Sequence, residues 1–186
     1  VPIARAALGA GVAVVVGTSG LSTADCEELG ALAERTGVGV AVVPNFALGA
    51  VLLIHCARLV SRYLGAAEIV ELHHDGKADA PSGTALATAR AMAEARGAPF
   101  AADRTSKLTL ENVRGGALGE VRIHSVRLPG LVAHQEVLFG APGQVLTLRH
   151  DVTSREAYVP GVLLAVRAIR QHRGLVYGLD RLLGLS

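Results

Sequence analysis

The amino-acid sequence predicts an α/β protein with two parts of different design. Valine-rich runs at residues 12–16 and 38–43 flank a helical segment, which is typical of strands buried on both faces of a parallel sheet. Three segments between residues 119 and 152 alternate apolar with polar side chains, which is typical of antiparallel strands. Hydrophobic residues make up 51% of the chain, enough for a sizeable core. We therefore expect one part with a parallel sheet and an α+β part with a mostly antiparallel sheet.

The first part, residues 1–45, is predicted to be a β-α-β unit. The strand at 12–16 ends in the loop "GTSG", and a helix then begins at Ser22, with Asp25 three positions later as in a capping box. Gly37 ends this helix, and the second strand follows. Ligands bind to sheets of this kind at the loops that follow the carboxyl ends of the strands.

The second part begins with a long helix, at about residues 47–64, and a strand at 67–74. Alternation along that strand predicts Ile69, Glu71 and His73 on one face, with His74 on the other. The later elements are predicted as a helix at 83–96, strands in "GEVRIHSVRL", "HQEVLFG" and "QVLTLRHDV" with a hairpin at "GAPG", and a closing helix at about 154–171.

Charge and composition exclude several classes of protein. The formal net charge is +2 without a basic run, so we predict no nucleic-acid partner. Residues 6–24 are uncharged but interrupted by glycine and hydroxyl residues, so we interpret them as a buried strand between loops rather than a membrane span. The isolated Cys26 and Cys56 predict a reducing, cytoplasmic compartment. The chain begins at Val1 without an initiator methionine, so we expect it to be the C-terminal part of a longer protein.

The stretch "HHDGKADAPSGTA" concentrates polar groups just before a predicted helix. A turn at Asp75 and Gly76 can return Lys77 to the side of His73 and His74. The following Ser-Gly-Thr supplies a hydroxyl cap and backbone N–H groups at a helix start, which together form an anion site. This combination suits a small substrate with carboxylates that must also receive a proton. The alternative from the residues alone is a structural histidine, a solvated lysine and a plain N-cap.

The same stretch resembles the His-His-x-x-Lys-x-Asp-x-Pro-Ser-Gly-Thr signature of the dihydrodipicolinate reductase family. Further segments also resemble that family, in the right order and over essentially the whole chain. These are "VVVGTSG", which is similar to a Gly-Thr-Thr-Gly cofactor loop, "VPNFALG", which is similar to an Ala-Pro-Asn-Phe-Ser hinge, "IHSVRLPGLVAHQEVLFG" and "LTLRHDVTSREAYVPGVLLAVR".

The resemblance implies a reductase of the diaminopimelate route to lysine that uses NADH or NADPH to reduce a cyclic imine dicarboxylate. It implies that His73 is the acid/base residue and Lys77 the proton donor, and that no metal takes part. The substrate-binding residues it implies are His74, Ser82, Gly83 and Thr84. The residues it implies near the cofactor are Gly17, Thr18, Ser19, Val43, Pro44, Asn45, Phe46 and Arg155.

The resemblance also implies a division of the chain. Residues 1–45 and 155–186 would be the remaining part of a Rossmann-type dinucleotide-binding domain, and residues 46–154 a substrate-binding and oligomerisation domain. The family implies a homotetramer built through its antiparallel sheets.

The chain departs from the family pattern at several positions. Ser19 stands for the second threonine of the loop, and Val43 and Ala47 stand for the usual alanine and serine around Pro-Asn-Phe. The change at Ala47 removes a hydroxyl that could cap the next helix. The chain has no Gly-x-x-Gly-x-x-Gly turn and no residue to distinguish NADH from NADPH, so we expect it to bind a dinucleotide weakly by itself.

Two alternative hypotheses remain at this stage. One is a non-catalytic remnant that binds a dicarboxylate or serves as a scaffold. The other is a related imine reductase or dehydrogenase with another substrate, such as an aspartate dehydrogenase.

Overall fold

The computed structural model describes residues 1–18 and 20–185. Ser19, one of the residues predicted near the cofactor, lies outside the described residues. In chain order the elements are α1 (Pro2–Gly9), β1 (Val14–Val16), α2 (Thr23–Thr36), β2 (Gly39–Val42), α3 (Leu48–Ser61), β3 (Ala66–His73), α4 (Gly83–Arg96), β4 (Gly116–Leu118), β5 (Val121–Arg127), β6 (Ala133–Ala141), β7 (Gln144–Val152), a 3₁₀ turn (Arg155–Tyr158), α5 (Val159–Ile169), β8 (Gly174–Tyr177) and α6 (Leu179–Leu182).

The chain divides into two compact units. The first consists of Val1–Val51 together with Arg155–Ser186, and the second of Leu52–Ser154. In the part of the chain that the structure describes, no helix is long and apolar enough to cross a membrane.

The first unit contains a parallel three-stranded sheet in the order β1-β2-β8. The central strand β2 is buried along its whole length, as the sequence predicted. The prediction for β1 was wrong in part, because this strand is only half-buried. Its position at an edge of the described sheet accounts for the difference, since β1 pairs with β2 alone.

Helix α2 has the ends that its sequence predicted. The Ser22 hydroxyl accepts a hydrogen bond from the Asp25 N–H at 3.1 Å, and the Asp25 carboxylate accepts one from the Ser22 N–H at 2.9 Å. Gly37 closes the helix with a φ of 72°, a left-handed conformation that glycine adopts without strain. The capping box and the C-terminal glycine are therefore confirmed.

Two predicted boundaries in this unit were wrong. The uncharged N-terminal stretch begins inside a helix, α1, because Pro2 suits a first helical turn and Ala4 and Leu8 share one buried face. The closing helix was predicted from about residue 154, but α5 begins at Val159 after a 3₁₀ turn. Pro160 explains this start, because its ring and missing N–H are tolerated only in the first turn of an α-helix.

The second unit is built on a five-stranded sheet in the order β4-β5-β3-β6-β7. Three of its four pairings are antiparallel, and β3 pairs in parallel with β5. The predicted hairpin between β6 and β7 is confirmed, and β4 is an additional short strand. The sequence therefore predicted the mostly antiparallel character of this sheet correctly.

One face of this sheet forms the core of the second unit. Ile69, Ile123, Val137 and Phe139 pack there against residues of α3 and α4, including Met92. The same face of β3 continues from Ile69 to Glu71 and then to His73, because side chains two apart point the same way. The core packing thus determines which side of the sheet His73 occupies.

Candidate active site

The turn after β3 returns the chain toward the end of that strand. The Lys77 N–H donates a hydrogen bond to the His74 carbonyl at 3.1 Å, which closes the turn predicted at Asp75 and Gly76. The Lys77 ammonium donates to the Asp79 carboxylate at 2.6 Å, and this lysine side chain is 20% exposed. The His74 imidazole is exposed and lies over Gly76, where a Cβ would come within 3.3 Å of its Nδ1.

His73 is the last residue of β3, and its imidazole contacts the carboxylate of Glu71. Its Nδ1 lies 2.5 Å from Oε2 of Glu71, whose side chain is fully buried. Burial lowers the pKa of His73, and the positive charges of Lys77 and Arg127 lower it further. The hydrogen bond and charge of Glu71 act in the opposite direction, but the pKa stays below its ordinary value. At neutral pH His73 is therefore mainly neutral.

Glu71 is held by groups from three segments of the chain. Both guanidinium ends of Arg127 donate to its carboxylate, at 2.8 Å and 3.0 Å, and the Ser82 N–H donates at 3.3 Å. Burial alone would raise the pKa of Glu71, but hydrogen bonds from Arg127, Ser125 and His73 outweigh burial and hold the pKa below its ordinary value. The carboxylate is therefore ionised beside the imidazole.

Helix α4 begins at Gly83 beside this cluster, with the ends that the sequence predicted. The buried Ser82 is its N-cap, and its hydroxyl accepts a hydrogen bond from the Ala85 N–H at 3.2 Å. Gly83 is exposed, and nothing lies within 4 Å of the place where its Cβ would be. The half-buried Thr84 follows, and its carbonyl accepts a hydrogen bond from Thr88. The cap role of Ser82 is thus visible, and open space faces the first residue of the helix.

The loops after β1 and β2 leave the parallel sheet at the same edge. Val16 is paired with Val42, and the N–H of Val43 donates to the carbonyl of Val16 at 2.9 Å. The ring of Phe46 packs against Gly17, where a Cβ would lie 2.9 Å from a ring carbon. The backbone at Gly17 therefore has the close approach for which only glycine is suited.

Other residues predicted near the cofactor lie in or beside these loops. Thr18 accepts a hydrogen bond from the Gly20 N–H at 3.1 Å, and Pro44 is exposed. The Asn45 side chain accepts a hydrogen bond from the Ala47 N–H at 2.9 Å, just before α3 begins. Arg155 is exposed in the 3₁₀ turn before α5.

These loops are compatible with a nicotinamide group. Exposed backbone at Gly17 and Gly20, beside the half-buried aromatic ring of Phe46, offers both hydrogen-bonding groups and an apolar contact at the carboxyl ends of parallel strands. The residues present therefore fit the group that the sequence implied.

Three polar residues around His73 and Lys77 were not predicted from the sequence. Glu71 binds His73 and Ser82, and Asp79 binds Lys77. Arg127 binds Glu71 and the Asp79 carbonyl, and none of these three residues was given a role from the sequence. An acid that shares the buried face of Ile69 could have been recognised by its alternation. Arg127 was harder to find, because only the parallel pairing of β3 with β5 places it opposite His73.

Comparisons with known proteins identify the family of the chain. The family model described as "Dihydrodipicolinate reductase, C-terminus" matches residues 49–183. The 4-hydroxy-tetrahydrodipicolinate reductase of Dehalococcoides mccartyi strain 195 is 52% identical over 184 residues, which are 99% of this chain and 69% of that protein. The Synechococcus elongatus protein of the same name is 55% identical over 181 residues, with 96% and 66% covered.

A solved structure gives the same result. The dipicolinate-bound dihydrodipicolinate reductase from Paenisporosarcina sp. TG-14 superposes with a TM-score of 0.89 at 43% sequence identity, over 97% of this chain and 68% of that one. The chain thus spans about two thirds of the length of these proteins. A family model over most of the chain, together with relatives above 50% identity, shows that the chain belongs to the dihydrodipicolinate reductase family of oxidoreductases.

Proposed function

We propose that this chain provides the substrate-binding and proton-transferring residues of a 4-hydroxy-tetrahydrodipicolinate reductase, with NADH or NADPH as cofactor. The product would be tetrahydrodipicolinate, on the diaminopimelate route to lysine. The observation that carries this proposal is the grouping of His73, Lys77 and the N-terminus of α4 at the end of β3, in a chain whose relatives bear that name.

The α4 N-terminus suits one carboxylate of the substrate. Backbone N–H groups at a helix start carry partial positive charge, and the space facing Gly83 admits an anion. The Paenisporosarcina enzyme was solved with dipicolinate, a planar ring with two carboxylates. We propose that Ser82, Gly83 and Thr84 form this carboxylate subsite, and that His74 contacts the same molecule.

The proposed conversion needs the 4-hydroxyl to leave as water, after which a hydride adds to the carbon conjugated to C=N and a proton completes the reduction. The nicotinamide supplies the hydride when it is bound. The Lys77 ammonium, which Asp79 holds, would stabilise the negative charge that develops at the ring nitrogen and donate a proton there. His73 would act as the acid/base residue, a role to which imidazole is suited near neutral pH.

The first unit supplies the cofactor loops in this proposal. Residues 1–45 and 155–186 would be the remaining part of a Rossmann-type dinucleotide-binding domain. Within it, Gly17, Thr18 and Ser19 would border the nicotinamide, together with the run from Val43 to Phe46 and with Arg155. The parallel sheet order and the Phe46–Gly17 contact support this assignment.

Residues 46–154, which include the second unit, would bind the substrate and form the oligomer. The sheet face opposite the helices carries charged and apolar residues, including Glu136, Arg149 and the exposed Val145. We propose that this face joins copies of the chain in a homotetramer and that the enzyme works in the cytoplasm.

The proposal is tested by assaying turnover of 4-hydroxy-tetrahydrodipicolinate with NADH and with NADPH, in wild type and in His73→Gln. The variant should lower kcat by about 10²- to 10⁴-fold, the usual contribution of general acid–base catalysis, and change KM much less. His55→Gln is the matched control, because His55 lies in α3 and has no proposed role. A fully active His73→Gln enzyme would remove His73 from the mechanism, and a wild-type enzyme inert with both cofactors would contradict the function.

A further inference from the structure

The carboxylate of Glu71 links the acid/base histidine to the helix that faces the substrate. We propose that Glu71 is a positioning residue, which fixes the proton on Nδ1 of His73 and leaves Nε2 as the nitrogen that exchanges a proton with substrate. This inference rests on the proposed role of His73. It adds a residue that contacts neither substrate nor cofactor and acts through the imidazole.

The contacts of the two carboxylate oxygens carry the argument. Oε2 faces the His73 Nδ1 at 2.5 Å and accepts from Arg127 at 3.0 Å. Oε1 accepts from Arg127 at 2.8 Å and from the Ser82 N–H at 3.3 Å. An ionised carboxylate only accepts hydrogen bonds, so the Nδ1 opposite it must donate. The neutral imidazole then carries its single proton on Nδ1, and Nε2 is free to accept one.

Arg127 keeps the acid in the form that this arrangement requires. A fully buried carboxylate without a cation would tend to become protonated, and it could then donate toward the imidazole instead of accepting. The paired hydrogen bonds from the guanidinium favour the ionised form. Arg127 also donates to the Asp79 carbonyl at 2.7 Å, so the same ion pair binds the loop that carries Lys77.

The charges around His73 determine whether removal of Glu71 raises or lowers the pKa of the imidazole. Glu71 is the acid in contact with the ring, Arg127 comes from β5, and Lys77 comes from the following turn with Asp79 as its own partner. On the β6 side, the neighbours of His73 and Glu71 are Ala133 and Gln135, which carry no charge. Removing the negative charge of Glu71 therefore leaves burial and two cations, and all three favour the neutral imidazole.

The first experiment measures which ring nitrogen of His73 carries the proton. Nitrogen-15 NMR of the chain distinguishes a protonated from a bare ring nitrogen, and a pH titration gives the midpoint of His73. Wild type should show the proton on Nδ1. Glu71→Gln should lower the midpoint by about one pH unit, the amount expected for loss of one charged hydrogen bond. Glu68→Gln is the matched control, since Glu68 lies on the same strand and binds Arg114 and His124 instead.

A second variant tests the proposal in case Glu71→Gln does not fold. Glu71→Gln leaves the guanidinium of Arg127 with a weakened partner, whereas the double variant E71M/R127M removes both buried charges and is expected to fold. In this double variant the preference for the Nδ1 proton should disappear. A folded double variant that keeps the wild-type tautomer, or an unchanged midpoint in a folded Glu71→Gln, would overturn the proposal.

Kinetics connect the positioning role to the reaction. Glu71→Gln should lower kcat by about tenfold to 100-fold with KM within about threefold, and should move the limb of the kcat profile that reports the titration of His73 to lower pH. A variant with the expected NMR change but wild-type kcat and profile would overturn the link to catalysis. The NMR result does not depend on which substrate is reduced, so failure of the proposed function is distinguished from failure of this inference.

Discussion

At the scale of single residues, Lys77 combines a charge with a transferable proton. Its ammonium lies 2.6 Å from the Asp79 carboxylate, which orients it beside the end of β3. Lys77→Arg keeps the charge, but a guanidinium does not give up a proton and its planar fork does not match a point-charge site. We expect kcat to fall by about 10²-fold or more. Steady-state kinetics check this, with Lys107→Arg in an exposed loop as the control. Wild-type rates would mean that Lys77 supplies charge alone.

The Glu71–Arg127 pair also makes a prediction about stability. Arg127→Met should lower the free energy of unfolding by about 3–5 kcal/mol near pH 7.5, because it leaves a buried carboxylate without its cation. In wild type the pKa of Glu71 is lowered, so its contribution is present above the unfolded pKa and is lost as pH falls through the folded one. In the variant that pKa is raised, and protonation on acidification relieves the penalty. The gap between the two proteins should therefore narrow toward about pH 5.

Urea unfolding at both pH values measures the difference in the free energy of unfolding between wild type and Arg127→Met. Arg5→Met is the control, because Arg5 is 51% exposed and its pair with Glu28 lies at the surface. Such surface pairs contribute about 0–1 kcal/mol. A gap for Arg127→Met that is small, or that widens on acidification, would contradict the assignment of Glu71 as a buried anion.

Alternation predicted part of the site at this scale. The period of two correctly places His73 on the face of Ile69, and the short turn correctly returns Lys77. The ion pair could not be predicted in the same way. Glu71 and Arg127 are far apart along the chain, and only the parallel register of β3 with β5 makes them neighbours.

At the scale of elements, the open start of α4 should control dicarboxylate binding. Gly83→Val adds a branched side chain where nothing lies within 4 Å, so the protein accommodates it but the approaching carboxylate does not. Dipicolinate should inhibit the variant at least about tenfold more weakly, a loss of about 1.4 kcal/mol. Gly116→Val is the control, because its Cβ position is equally open but lies in β4. Inhibition that is unchanged in Gly83→Val would leave this helix start as a cap only.

Elements with local end signals were predicted best. Helices α2 and α4 each have a serine N-cap and a left-handed glycine after the last turn, and both were predicted within one residue at each end. The helix α1, which has no side-chain N-cap, and the short strand β4 were missed. The burial of β1 was predicted wrongly, because burial depends on which strands lie beside it and the sequence of β1 does not contain that information.

At the scale of the whole molecule, the proposed homotetramer predicts that a new charge at an exposed apolar residue of the joining sheet face weakens assembly. Val145 in β7 is 71% exposed within one chain, which is unusual for a valine in a strand. If the sheets join copies of the chain, Val145→Lys should lower the mass seen by sedimentation equilibrium. Ile3→Lys is the control, an exposed apolar residue at 88% in α1. A tetramer that persists in Val145→Lys would place the interface elsewhere, and a monomeric wild type would refute the tetramer.

The parallel pairing of β3 with β5 also determines the order of events when the chain refolds. Local signals define α2 and α4, and isolated helical segments form within about a microsecond. Glu71 can meet Arg127 only after the chain between the two strands, residues 74–120, has closed into a loop. Such long-range contacts form slowly, because the entropy of closing the loop is lost before the contacts compensate for it. A refolding chain therefore regains most of its helix before Glu71 is paired with Arg127, and activity returns last.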